Sequence, residues 1–309
     1  MEYTILRNED LSDLITIWNS CITAYPQTQQ SFLCTLLCDE NFSEQGCILA
    51  KDEEKLIGFC IAVKRLYPYL EKGLQKGTGW ILAIAVLPDY RRKGIGSKLL
   101  SKAEDYLHAS KIILSAYSPY YFFPGIPDNA FEGLKFFEHH VYRRGESAYA
   151  MVMDLNDYLP PLWVHKQKQA AEEKGYRFQN FCWKDGKKLL AFIGDNFSVG
   201  WRLHAVEALR SNQAERRIIL CWKEAQIVGY VQCGVQQDES RFGPFGIAEA
   251  ERNSGLGSIL LHEMWMRMKE NMISRVWFHS TDSAGRRFYE RHGMQVAQTL
   301  YHYEKRTLV

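Results

Sequence analysis

Three cations and two glycines stand together at Arg91-Arg92-Lys93-Gly94-Ile95-Gly96, immediately before a helical pattern that begins at Ser97. The cations bring whole positive charges, and the glycines let the backbone approach a ligand closely at positive φ. A helix start adds unpaired N–H groups and about half a positive charge. Together these features describe a phosphate cradle. A paler copy, Arg252-Asn253-Ser254-Gly255-Leu256-Gly257, lies further along the chain. Two other phosphate loops are excluded. A dinucleotide fingerprint needs a third glycine where Leu99 stands, and a nucleoside-triphosphate loop needs Gly-Lys-Ser/Thr after a four-residue spacer.

Such a loop must be positioned by a strand before it and a helix after it. "WILAIAVLP", from Trp80 to Pro88, is an apolar run ending in proline and reads as a buried strand. Leu99, Leu100, Ala103, Tyr106 and Leu107 then recur at helical spacing. The same order appears twice. Each half has a hairpin-like strand pair ("CILAKDEEKLIGFCIAV" and "RIILCWKEAQIVGYVQCGV") with a glycine in its return strand, at Gly58 and Gly229. Each continues through the glycine loop and helix to an apolar strand ("KIILSAY" and "RVWFHST"), then to a helix rich in aromatics. Each closes on a β-rich stretch, "SAYAMVMDL" and "QVAQTLYHYEK". Duplicated order means two copies of one domain. Paired prolines in "LNDYLPPLW" mark the seam, because they stop both helix and central-strand pairing. The expected domains are 1–156 and 157–309. Strands alternating with helices predict the α/β class, with a mixed sheet flanked by helices in each copy.

The chain has 309 residues, 46% hydrophobic and 24% charged, which suits two domains with real cores. Lys+Arg 38 against Asp+Glu 36 leaves a formal charge of +2, which argues against a nucleic-acid partner. No run approaches the ~20 apolar residues of a membrane span, and the acidic "MEYTILRNED" does not resemble a secretory leader. Eight cysteines are scattered without a CxxC, so no metal is expected even at Cys34 and Cys38. These features predict a cytoplasmic protein whose cysteines are mostly small core residues.

The spacing Arg-x-x-Gly-x-Gly, set in "AVLPDYRRKGIGSKLL", resembles the GNAT superfamily of N-acetyltransferases. The resemblance covers most of both halves, and the tandem layout is similar to that of mycothiol synthase. It implies an acetyltransferase fold in each half, with acetyl-CoA as the acetyl donor. The loop from Arg91 to Ser97 (Arg91, Arg92, Lys93, Gly94, Ile95, Gly96 and Ser97) would grip its pyrophosphate. Its counterpart from Arg252 to Ser258 comprises Arg252, Asn253, Ser254, Gly255, Leu256, Gly257 and Ser258. Backbone groups of Ile84, Ala85 and Val86, or of Phe245, Gly246 and Ile247, would pair with the pantetheine arm. A splay after the strand would open space for the thioester. "RFGPFGI" interrupts the second of these strands and predicts a local bend.

The family's usual general acid is a tyrosine near the end of the aromatic helix. "FYERHGM" places Tyr289 there, with Gly293 four residues on, whereas "FFEHHVY" has Phe137 and Val141. Asp282 occupies the family's asparagine position among the cofactor-binding residues. No general base stands out: His279 is a strand histidine and Glu224 lies in a charged turn. Tyr117, Tyr120 and Tyr121 in "AYSPYYFFPGIPD" offer phenols to the first half and hint at an aromatic or apolar acceptor. The expected acceptor is a small-molecule or peptide amine, attacking directly in a ternary complex. The missing phenol favours catalysis in the C-terminal half. The reverse, activity in both halves, and a non-catalytic acyl-CoA-binding module remain open.

Overall fold

The computed structural model describes residues 1–118 and 122–307. In chain order the first elements are β1 (Glu2–Ile5), α1 (Leu11–Cys21), α2 (Gln29–Phe32), β2 (Cys47–Asp52), β3 (Lys55–Lys64) and β4 (Thr78–Val86). They are followed by α3 (Ile95–Leu107), β5 (Lys111–Leu114), β6 (Ile126–Pro127), α4 (Phe131–His139) and β7 (Arg143–Asp154). The repeat then restarts with α5 (Leu162–Glu173), β8 (Tyr176–Asn180), α6 (Gly186–Asn196), α7 (Val199–Arg210) and α8 (Ala214–Arg217). The remainder is β9 (Ile218–Lys223), β10 (Gln226–Cys233), β11 (Phe242–Ile247), α9 (Leu256–Glu270), β12 (Arg275–Phe278), α10 (Ser283–Arg291) and β13 (Gln295–Arg306).

The contacts group the chain into two compact units, 1–149 with 298–309, and 150–297. A cut at 156/157 divides the repeated pattern; the contacts divide the chain differently because the closing strands change places. Residues 298–306 of the chain's last strand belong to the first unit, where β13 pairs antiparallel with β5 (Tyr303 opposite Leu114, Arg306 opposite Lys111). The last residues of β7 belong to the second unit, pairing with β12 from Arg275 opposite Asp154 to Phe278 opposite Met151.

In the first unit, β1, β2, β3 and β4 are antiparallel neighbours, and β4 then runs parallel to β5. The run Thr78–Val86 is apolar on both faces because both are covered. Leu99, Leu100, Ala103 and Leu107 of α3 pack with Cys60, Ala62 and Ile81 in one buried cluster. On α1, Trp18 is fully buried and stacks on Phe59 at 5.8 Å. Gly58 explains itself here: a Cβ would lie 2.8 Å from the Ala85 carbonyl and 3.3 Å from Leu99, so glycine is what lets α3 settle on the sheet.

The second unit repeats this pattern with β8, β9, β10 and β11 in antiparallel order. Gly229 plays the part of Gly58, since a Cβ there would collide with Ile247 and approach Leu260 of α9 to 3.1 Å. The bend expected in "RFGPFGI" is a register irregularity: Val231 faces Phe245, but the next pair is Cys233 with Phe242. The first unit has its own irregularity at the matching place, where Ile61 faces Ala83, Ala62 faces Ile81, and Leu82 is the extra residue.

Candidate functional site

In the first unit β4 and β5 run side by side from Thr78 opposite Lys111 to Ile81 opposite Leu114. One more rung, from the Ser115 N–H to the Ile81 carbonyl at 2.8 Å, closes the pairing. β4 continues to Val86, and no described strand accompanies it on that side. The expected splay is therefore present. It opens into a cleft of about 810 Å³ that reaches from the fork to the glycine loop.

Of the residues predicted from sequence, Ile84, Ala85, Val86, Arg91, Arg92, Gly94, Gly96 and Ser97 line this cleft. Gly94 sits at φ +81° ahead of α3, and a Cβ built there meets nothing within 4 Å, so the loop's mouth is open. Arg91 ties the loop down: Nε donates to the Val86 carbonyl at 3.0 Å and Nη1 pairs with Glu132 at 2.8 Å. Arg92, exposed and at φ +58°, has no ion-pair partner among the described residues and is the free cation of the loop. Lys93 lies over the Tyr90 ring at 5.2 Å, and Ile95, the first residue of α3, is buried. Ser97 Oγ is 3.0 Å from His140 Nε2, while His140 Nδ1 is 2.8 Å from the Phe136 carbonyl. A carbonyl only accepts, so Nδ1 carries hydrogen; in the neutral ring Nε2 then accepts from the Ser97 hydroxyl.

The second loop has the same backbone, with Asn253 at φ +62° and Gly255 at φ +84°, but different surroundings. A Cβ on Gly255 would coincide with the side-chain amide of Gln167, which α5 lays across the loop. Glu251 is engaged by Tyr176 at 2.5 Å and Lys223 at 2.8 Å, and Ser254 donates to the Glu251 carbonyl. Arg252 is exposed, whereas Leu256 is buried, and a Cβ on Gly257 would come within 3.3 Å of the Phe245 ring. Gly246 is covered as well, because a Cβ there would meet the Phe197 ring at 2.5 Å and Trp201 at 3.0 Å.

In the second unit the matching fork lies where the chain entering β11 meets β12 at one parallel bridge, Arg241 with Trp277, and Tyr289 packs against both strands there. Its ring centre is 4.6 Å from Phe278, 6.2 Å from Phe242, 6.5 Å from Phe245 and 5.2 Å from Phe288. Burial pushes its phenol above the ordinary range, and the Asp282 carboxylate adds to the effect. Asp282 itself caps α10, accepting from the Gly285 N–H at 2.7 Å. The adjoining Ile247 is buried at the end of β11.

Ser258 begins a hydrogen-bonded chain: its Oγ is 3.1 Å from His292 Nε2, and His292 Nδ1 is 3.0 Å from His262 Nε2. His262 Nδ1 in turn meets the Tyr158 hydroxyl. Burial, then His292, holds His262 down to about 3; burial, then Arg291, holds His292 to about 4. Burial and then Arg241 hold His204 and His279 to about 4 as well. In the unfolded chain these imidazoles take up protons near pH ~6.5, while the folded unit resists until about 4 or below. Their contribution is therefore complete above pH ~6.5 and is lost as the pH falls from there. The urea midpoint of this unit should drop steadily over that window, and His262→Gln should flatten part of the slope.

Most of the remaining sequence candidates lie away from the first cleft. Tyr117 is fully buried against Trp80 at 5.2 Å, and its hydroxyl accepts from Arg65 at 3.3 Å. Tyr120 and Tyr121 lie outside the described residues. His279 packs on Trp277 at 4.7 Å in the second unit, and Glu224 is exposed in its turn at φ +52°. Phe137 is buried, lines the first cleft, and packs on Phe136 at 5.3 Å. Sequence reasoning missed Gln167, whose place over the second loop has no local signature, and Ser115, which sits at the first fork.

The Acetyltransferase (GNAT) family model matches residues 11–118 and again residues 186–294. The chain is a tandem GNAT acetyltransferase. Its fold is that of several solved GNAT proteins. The glucosamine N-acetyltransferase region of a fungal multi-domain β-N-acetylglucosaminidase superposes with a TM-score of 0.79 at 18% identity over 98% of this chain. This chain spans 38% of that longer protein. A GCN5-related N-acetyltransferase from Sphaerobacter thermophilus gives a TM-score of 0.70 at 16% identity, covering 100% of this chain and 96% of that one. A tandem GNAT protein from the clavulanic acid biosynthesis pathway gives 0.63 at 12% identity, covering 99% and 98%. No curated protein matches by sequence. Among the described residues of this GNAT chain no helix is long and apolar enough to cross a membrane.

Proposed function

We propose that the first unit carries the activity: an acetyl-CoA-dependent N-acetyltransferase acting on a small-molecule or peptide amine, in a cytoplasmic setting. The observation that carries this reading is the contrast between the two forks. The first opens on a cleft of about 810 Å³ continuous with an unobstructed glycine loop. In the second, Gln167 covers the loop and the rings of Phe242, Phe278 and Tyr289 fill the fork. This reverses the preference drawn from Tyr289 in the sequence and assigns the second unit a supporting role.

Acetyl-CoA supplies the acetyl group and departs as the thiol. The chain's own share begins with anchoring: the N–H groups at the start of α3, together with Arg92, hold the phosphates. The free edge of β4 at Ile84, Ala85 and Val86 offers backbone groups to the pantetheine amides. The extra residue Leu82 turns the strand at the fork, where a backbone N–H can polarise the thioester carbonyl. Cys21 at the end of α1, Ile22 and Tyr25 in the loop after it, and Phe123 line the cleft and give the acceptor an apolar approach. Positioning does most of the work, since it turns a bimolecular encounter into an oriented one.

Calorimetric titration with acetyl-CoA tests the reading. One equivalent per chain is expected, unchanged in magnitude when the second loop is altered. Two equivalents would return the second unit to consideration, and no binding would sink the proposal.

A further inference from the structure

The first cleft contains a buried serine whose placement the reading above leaves unused. Ser115 is the residue at which β5 stops following β4, fixed there by its N–H bond to the Ile81 carbonyl at 2.8 Å. It lines the cleft, is 4% exposed, and its Oγ makes no hydrogen bond with the described residues. Its backbone lies in the left-handed region at φ +58°, and that of Ala116 follows at φ +51°. Two successive non-glycine residues in that region are costly, and the fold keeps them there through the Ile81 bond and a bond from the Ala116 N–H to the Phe123 carbonyl at 3.3 Å. Leu82, the extra residue of β4, follows Ile81 directly and also lines the cleft. From Val86, beside the glycine loop, to Leu82 the strand covers roughly 13 Å. A phosphate held at the loop therefore leaves the far end of a pantetheine arm in the region of this fork. Of the other hydroxyl-bearing residues lining the cleft, Ser97 is engaged by His140, Tyr25 has a partner of its own, and Thr23 is exposed on the loop after α1. Phe137, on the neighbouring wall, has no hydroxyl to offer.

We propose that Ser115 Oγ donates a hydrogen bond to the sulfur of the bound coenzyme and serves it as it departs. This rests on the function proposed above. In the reaction the acceptor nitrogen bonds to the acetyl carbon as the carbon–sulfur bond breaks. Ser115 gives its proton to the sulfur and regains one from the nitrogen, so amine and thioester become amide and thiol with the serine unchanged. The strained backbone is what aims the hydroxyl into the fork.

The test needs no acceptor. Free CoA is bound to the full-length protein, binding is checked by calorimetry, and its thiol is titrated by the ultraviolet absorbance of the thiolate. A hydrogen bond to the charged sulfur favours the thiolate, so Ser115→Ala should raise the bound thiol's pKa by about one unit, a tenfold change in its ionisation constant. Ser115→Gly, which accepts positive φ without strain, should raise it equally. An unchanged titration in Ser115→Ala overturns the proposal while leaving acetyl-CoA binding intact. A shift in Ser115→Ala that is absent in Ser115→Gly would trace the effect to backbone strain and overturn it too. Failure of the wild-type protein to bind CoA would instead overturn the function on which it rests.

Discussion

Gly94→Val is expected to weaken acetyl-CoA binding by ~10²–10⁴-fold, while the same change at Gly255 leaves affinity within about twofold. Gly94 holds φ +81° at the turn into α3, a conformation that a β-branched residue adopts only under strain. Valine there re-forms the turn and withdraws the backbone donors that face the phosphates. Each hydrogen bond to a charged group contributes about 1.5–3 kcal/mol, so losing two gives the stated range. Gly255 has an equally unusual φ of +84°, but Gln167 already covers it. Valine at 255 should lower the stability of the second unit without touching the ligand. Calorimetry on both variants, with circular dichroism to verify folding, decides the matter; an equal loss in the two would mean that both loops bind.

Trp18→Ala should destabilise the first unit by about 3–5 kcal/mol, the range for truncating a large buried aromatic. Trp18 has no exposed surface and touches Phe32, Phe59, Phe122 and Phe123, with ring centres 4.5–6.3 Å away. Its indole N–H also donates to the Tyr25 carbonyl at 2.7 Å, which pins the loop that walls the cleft beyond α1. Trp18→Phe separates these roles, keeping much of the packing while giving up the bond, at a cost of about 1 kcal/mol for the bond. Urea unfolding should show the large loss in the alanine variant. The phenylalanine variant should bind acetyl-CoA normally while its acceptor KM rises, because the loop borders the acceptor's approach. A rise in the acetyl-CoA Kd instead would remove the loop from the acceptor side.

Much of this was readable without coordinates because it depends on local rules. The glycine loops, the apolar strands before them and the amphipathic helices after them are short-range patterns, and they recur in the structure at both places. Gly58 and Gly229 could be noted from sequence as glycines inside return strands. Their reason, the close seating of α3 and α9, required the packing to be seen. Tyr289 shows what such reasoning leaves out. Its position in "FYERHGM" pointed to catalysis, yet its ring lies among four phenylalanines contributed by β11, β12 and α10. Nothing in the spacing of a tyrosine says whether the fork beside it is open or filled.

The sequence by itself determined that this is a duplicated α/β chain with two glycine loops ahead of helices, since periodicity, proline seams and glycine spacing act over a few residues. Tertiary structure alone decided three things. Residues 298–306 of β13 fold with the first unit and the end of β7 with the second, because antiparallel pairing joins edges regardless of their distance along the chain. Gln167 lies over the second glycine loop, a meeting of residues 88 positions apart that no local pattern encodes. Ser115 stands at the mouth of the first fork with a positive φ, which follows from where two strands part company and not from the identity of a serine.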